Sequence, residues 1–249
     1  MTAPVMLVTG SGRDRLGRQL VDAFADQGYA IALHYHSSAE EAQQAVQELR
    51  DRGVTVEAYQ ANVAEEGEVE QMIADVVQRF GRIDLLACTA SIWPTIPLEQ
   101  TTAADVLKSF EVNTLGSFLC AKAAGLAMTK QPTGGSIVLF GDWAIERPYK
   151  DHAAYFIAKG AIPTLTRMLA VELAERNPQV RVNCIHPGPV LFPPGLTEAE
   201  QQESIDSTLV KTANCPDAIV QAVQLLASNP MMTGVCLPVD GGRTIFARE

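Results

Sequence analysis

Two rhythms of apolar and polar residues take turns along this chain. Short apolar runs at Val5-Met6-Leu7-Val8, Ala30-Ile31-Ala32-Leu33, Val54 to Ala61, Ile83 to Ala87, Ser136 to Phe140, Val180 to Ile185 and Val235 to Val239 read as strands. Between them lie segments with helical spacing. Leu16 to Gly28 places Leu16, Leu20 and Phe24 four residues apart, Ala39 to Asp51 is closed by Gly53, and Glu65 to Phe80 is amphipathic. Phe110 to Met128, Ala153 to Glu175 and Pro216 to Ser228 complete the helical set. The strand runs are apolar on both sides, as strands of a sheet covered on both faces are. This succession predicts an α/β, Rossmann-type doubly wound fold: a mostly parallel seven-stranded sheet with helices on both faces. No linker, repeat or low-complexity stretch appears, so residues 1–249 read as one domain. Residues 189–212 break the rhythm with Pro189, Pro193 and Pro194 and then a polar stretch, and predict a substrate lid of mobile loop and short helices.

Composition narrows the partners. With 29 acidic and 19 basic side chains the net charge is −10, which argues against nucleic acid, whose phosphates need a basic face. Hydrophobic residues make up 47% of the chain, too many for a disordered one. No apolar run approaches the roughly 18 residues of a membrane span. The segment Met1-Thr2-Ala3-Pro4 leads straight into a strand without a basic, cleavable leader pattern, and a cytoplasmic location is expected. The five cysteines (Cys88, Cys120, Cys184, Cys215 and Cys236) are scattered with no CxxC pair, so their spacing suggests neither a zinc site nor a disulfide framework. His152, His186 and the cysteines read as structural, with Cys88 as the one to watch for a role at a cofactor cleft.

The first turn carries chemistry. Thr9-Gly10-Ser11-Gly12-Arg13-Asp14-Arg15-Leu16-Gly17 joins the first strand to the first helix, where a dinucleotide-binding fold seats a pyrophosphate on backbone N–H groups. It is not a GxGxxG match, because position 15 is arginine, and an ordinary βα loop reads the same way. At the end of the second strand, Leu33-His34-Tyr35-His36-Ser37-Ser38 holds no carboxylate before Glu40. An acid there would bind the ribose of NAD; hydroxyls, histidine and arginine suit a 2′-phosphate, so NADP(H) is preferred over NAD(H). His34 and His36 also fit as packing or solvent-facing residues.

Tyr155 and Lys159 stand four apart on a predicted helix and share one face. A nearby cation lowers a phenol pKa and eases proton transfer. Asp142 follows the fifth strand at the sheet edge where α/β ligands bind, and Asn113 lies early in a helix.

With these residues in place, the chain resembles the short-chain dehydrogenase/reductase family over essentially its whole length. Thr9-Gly10 with Gly17 is similar to the family's TGxxxGxG turn, one residue longer, and Asn113, Tyr155-Phe156-Ile157-Ala158-Lys159, Pro187-Gly188 and Asp240-Gly241-Gly242 follow in family order. The resemblance implies Tyr155 as proton donor, Lys159 lowering its pKa and holding the nicotinamide ribose, and Asn113 supporting a water-linked proton path through Lys159. It implies cofactor contacts from Gly10, Arg15, Leu16, Gly17, His36, Ser37, Asn62, Val63, Ala90, Ser91, Tyr155, Lys159, Pro187, Gly188 and Val190. It also implies a homotetramer acting on a small molecule.

Three positions depart from the family. Asp142 stands where serine is usual, Cys88-Thr89-Ala90-Ser91 replaces Asn-Asn-Ala-Gly, and Asn62 replaces an acid that contacts adenine. A serine hydroxyl donates to a substrate carbonyl, whereas a carboxylate only accepts. Asp142 therefore favours a substrate with N–H or O–H donors. In this the chain resembles the pteridine reductase branch, including dihydromonapterin reductases, as it does in Arg15-Leu16-Gly17, in Leu33-His34-Tyr35-His36, and in Ala90-Ser91 with Trp93 two residues on. That resemblance implies substrate contacts from Arg15, Ser91, Asp142 and Tyr155 and a pterin ring stacked on Trp93. Trp93 packed under residues 189–212 is the alternative. Ser37 stands where the branch has arginine, which weakens the expected NADPH selectivity. The expected reaction is NADPH-dependent reduction of a C=N bond in a dihydropterin or dihydrofolate-type ring, with Tyr155 as proton donor and Asp142, Lys159 and Asn113 as the other catalytic residues. The alternatives are reduction of another carbonyl or imine, such as a 3-oxoacyl thioester or small ketone, and a non-catalytic NADP-binding sensor.

Overall fold

The structure, a computed structural model, describes residues 3–246. Seven strands form one parallel sheet in the order β3-β2-β1-β4-β5-β6-β7. They are β1 (Val5–Thr9), β2 (Ala30–Tyr35), β3 (Val56–Gln60), β4 (Leu85–Cys88), β5 (Gly135–Phe140), β6 (Val180–Pro187) and β7 (Cys236–Val239). The expected α/β architecture is the one observed.

Helices α1 (Leu16–Asp26), α2 (Ala39–Asp51) and α9 (Pro216–Ser228) cover one face of the sheet, burying Leu20, Val46 and Val223 against Met6, Val8, Ile31 and Leu33. Helices α3 (Glu66–Phe80), α5 (Gly116–Met128) and α7 (Ile162–Arg176) cover the other, burying Val69, Leu119 and Leu169 against Leu7, Leu86 and Ile137. Burial of one such side chain contributes ~1.5–3 kcal/mol. Sheet order reverses between β1 and β4, so the loops after Thr9 and Cys88 part there and open a crevice at the carboxyl ends of the strands. Among the described residues no helix is long and apolar enough to cross a membrane.

Two helical readings change. The segment from Ala153 is two helices, α6 (Ala153–Lys159) and α7, because Pro163 lacks the N–H that would continue the hydrogen-bond ladder. The segment read from Phe110 starts earlier, as α4 (Ala103–Phe110), under a capping box in which Thr102 and Asp105 exchange hydrogen bonds. Between α4 and α5 the chain widens into a π-turn over Glu111–Leu115, which carries Asn113. Residues 189–212 contain α8 (Glu198–Asp206), begun by a second capping box from Thr197 and Glu200.

Candidate active site

The crevice between β1 and β4 is a cavity of about 860 Å³. Gly10, Arg13 and Arg15 form one wall, and His36, Ser37, Ser38, Asn62 and Val63 line the far end. Ala90, Ser91 and Trp93 line the near end, with Pro193 and Pro194 reaching over from the loop after β6.

The turn after β1 is built for close approach. Gly10 has φ +68°, and a Cβ there would lie 2.7 Å from Ala90 Cα. A Cβ on Gly17 would lie 2.6 Å from Thr89 Oγ1. His34, 1% exposed, holds this turn from beneath: its Nδ1 accepts from Gly10 N at 2.9 Å, and its Nε2 lies 3.0 Å from the Ala61 carbonyl. Burial pushes its pKa down to about 4, so the neutral ring acts as a brace between the turn and the end of β3.

An anionic dinucleotide fits this wall. Helix α1 opens at Leu16 with no side-chain cap from Arg15 and no acid in its first turn, leaving its positive end to the cavity. Exposed His36 and Ser37 stand at the start of α2. Arg13 pairs with Glu41 at 3.3 Å, so its charge is already shared.

Tyr155, Asp142 and Lys159 converge at the end of β5. The Tyr155 hydroxyl donates to Asp142 Oδ2 at 2.7 Å, and Asp142 Oδ1 accepts from Ala144 N at 2.8 Å, capping a short turn at Trp143–Ile145. Lys159, 3% exposed, donates to the Phe140 carbonyl at 2.8 Å and has its Nζ 5.9 Å from the Tyr155 ring centre. The Tyr155 pKa is governed by its surroundings in the pocket. Burial, then the Asp142 charge and hydrogen bond, push that pKa well above the ordinary phenol value. Burial pushes Lys159 downward.

Asn113 bonds elsewhere. Its Oδ1 accepts from Ser91 Oγ at 2.8 Å and Ile92 N at 2.9 Å, while its Nδ2 donates to the Ile92 carbonyl at 3.0 Å and to Ser109 Oγ at 3.1 Å. It fixes the loop that carries Ser91 and Trp93, and the nearer link to the Tyr155 helix is Thr114, whose hydroxyl donates to the Ala158 carbonyl at 2.8 Å. Trp93 lies parallel to His152, with ring centres 4.5 Å apart, and donates from Nε1 to the Tyr149 hydroxyl at 3.1 Å. His152 in turn has Nδ1 2.9 Å from the Pro94 carbonyl.

Pro187, Gly188 and Val190 continue from β6. Gly188 N donates to the Val239 carbonyl at 2.9 Å, and a Cβ on Gly188 would lie 2.5 Å from Asp240 Cα. Leu16 packs its side chain against the core beside α1. Cys88 is fully buried and burial pushes its thiol pKa up, which marks it as a small apolar filler. Sequence reasoning missed Tyr149, Lys108 and Val112 as neighbours of the site, and no local pattern marks them.

Residues 13–244 match the family described as enoyl-(acyl carrier protein) reductase. A 3-oxoacyl-[acyl-carrier-protein] reductase of Synechocystis sp. is 32% identical over 99% of both chains. A dehydrogenase/reductase from Sinorhizobium meliloti 1021 superposes with a TM-score of 0.87 at 29% identity, over 98% of this chain and 96% of that one. NAD+-bound xylitol dehydrogenase does so with a TM-score of 0.87 at 30% identity, over 97% of this chain and 99% of that one.

Proposed function

This chain belongs to the short-chain dehydrogenase/reductase family of NAD(P)(H) oxidoreductases, and from that premise we propose that it is an NADPH-dependent reductase of a C=N bond in a dihydropterin or dihydrofolate-type ring. The observation that carries the reading is the hydrogen bond from the Tyr155 hydroxyl to Asp142 Oδ2. Where the usual family pattern has serine, whose hydroxyl can donate to a carbonyl, this site presents an acceptor, which suits a substrate rich in N–H donors. Tyr155 carries a proton at its hydroxyl and is the group placed to give it to the substrate, so the residue serves as acid. That is the direction of reduction; oxidation would need the tyrosinate.

A nicotinamide cofactor, when bound, would supply the hydride. Tyr155 gives its proton to the substrate nitrogen, and Asp142 orients the hydroxyl. Lys159, anchored on the Phe140 carbonyl, would hold the nicotinamide ribose. Asn113 sets the Ser91–Trp93 loop. Gly10, Leu16, Gly17, Asn62, Val63, Ala90, Pro187, Gly188 and Val190 shape the cofactor seat, and Arg15, His36 and Ser37 favour the 2′-phosphate of NADP. Trp93 has one face on His152 and is 49% exposed, which leaves the other face for a flat ring. Residues 189–212 act as the lid, with Pro193 and Pro194 already at the cavity wall. The assembly we assign is a homotetramer in the cytoplasm.

A second reading, reduction of a 3-oxoacyl thioester, is favoured by the name of the Synechocystis relative. NADPH oxidation measured with dihydrobiopterin and dihydrofolate, then with acetoacetyl thioesters and small ketones, separates the two. Turnover of the pterins supports the first reading, and turnover confined to carbonyl substrates overturns it. NADPH binding without any turnover would favour a sensor.

A further inference from the structure

A group of side chains outside the cavity has the composition of a metal site. Cys184 and His186 are two residues apart on β6 and so point to one face of the sheet. Cys236, first residue of β7, pairs in register with Cys184. One ligand atom from each of the three lies within 4.8 Å of the others. Strand periodicity and strand register together make this cluster, since the third member is far from the other two in sequence.

Two further observations point to a ligand. His186 is 7% exposed, and its Nε2 is buried with no hydrogen-bond partner. A buried ring nitrogen left unpaired is unfavourable, and a metal bond would satisfy it. The space beside it is kept open by Gly141, where a Cβ would lie 2.8 Å from His186 Nε2 and 3.4 Å from Cys184 Sγ. Any other residue at 141 would fill the gap between those two donor atoms.

The geometry points to a site for a single thiophilic divalent cation, of the zinc class, held by Cys184 Sγ, His186 Nε2 and Cys236 Sγ. Metal–sulfur bonds of about 2.3 Å and metal–nitrogen bonds of about 2.0 Å place tetrahedral donors roughly 3.5–3.8 Å apart. The observed spread of up to 4.8 Å closes to that by side-chain rotation. Both thiols lose their protons to solvent on binding, so two thiolates and a neutral imidazole balance the dication. Cys236, only partly buried, gives the entry path, and water takes the fourth position. The cation would clamp edge strand β7 to β6, directly behind the Gly141–Asp142 turn of the reductase site.

The test uses the full chain, reduced and stripped with a chelator, then titrated with cobalt(II). The expected result is a tetrahedral d–d spectrum with a thiolate-to-cobalt charge-transfer band that saturates at one cobalt per chain and is bleached by zinc. Cys236→Ser should weaken cobalt binding at least ~10-fold and diminish the band, while Cys215→Ser leaves it unchanged. Zinc should also protect Cys236 from alkylation in the unaltered chain, a readout that does not depend on the variant folding. Absence of the charge-transfer band, a band indifferent to Cys236→Ser, or unprotected Cys236 would overturn the site. So would finding only three titratable thiols in the denatured chain without reductant, with the missing two mapped to Cys184 and Cys236 as a disulfide.

Discussion

Tyr155 illustrates how one partner sets the work of a side chain. A phenol beside Lys159 alone would tend to ionise; a phenol that donates to Asp142 in a buried pocket keeps its proton. Tyr155→Phe should therefore lower turnover ~10²–10⁴-fold, the usual span for a lost general acid, with NADPH affinity unchanged by fluorescence titration. Asp142→Ser makes a sharper test. The serine can still cap the Trp143–Ile145 turn, so the fold should hold. Removing the carboxylate should bring the Tyr155 pKa down. The pH profile of the reverse, oxidative reaction then moves to lower pH, and selectivity moves from ring nitrogens toward ketones. Unchanged selectivity would mean that Asp142 does not read the substrate. The Tyr155–Lys159 pair and Asp142 were legible from spacing and residue type. The direction of the tyrosine shift was not, because it depends on burial and on a contact 13 residues away in sequence.

At the scale of elements, His34 ties the glycine turn to the end of β3. Its folded pKa of about 4 lies below the ordinary 6.5, so the unfolded chain takes up the proton first as pH falls. Stability is then complete above about 6.5, is lost between 6.5 and 4, and changes no further below that; the full loss is on the order of 3 kcal/mol. Urea unfolding from pH 7 downward should show a steeper loss in the unaltered chain than in His34→Asn, and equal slopes would count against the brace. Gly10→Ala attacks the same turn through its φ of +68° and the approach of Ala90, and should cost at least ~1–2 kcal/mol while abolishing NADPH binding. Strand positions and most helices were legible because apolar periodicity reports burial directly. The early start of α4 was written in Thr102 and Asp105, and the break before α7 in Pro163, both local signals that apolar periodicity overlooks.

For the whole molecule, cofactor binding is a stability term shared by every element around the crevice. NADPH at about 100 times its Kd stabilises by ~2.7 kcal/mol, which for a domain of this size raises Tm by roughly 5–10 °C. Differential scanning fluorimetry should show this, with a smaller shift from NADH at equal concentration. A larger shift from NADH would reverse the cofactor preference. The sequence by itself determined the α/β class, the parallel sheet, the glycine turn after β1 and the Tyr155–Lys159 pair, since each rests on periodicity or on residues within one helical turn or loop. Tertiary structure alone decided that Asn113 braces the Ser91 loop, that Trp93 stacks on His152, and that Cys184, His186 and Cys236 meet across two strands. Cysteines read by spacing gave no sign of this cluster, because their proximity comes from β6–β7 register, a relation between segments that no local pattern records.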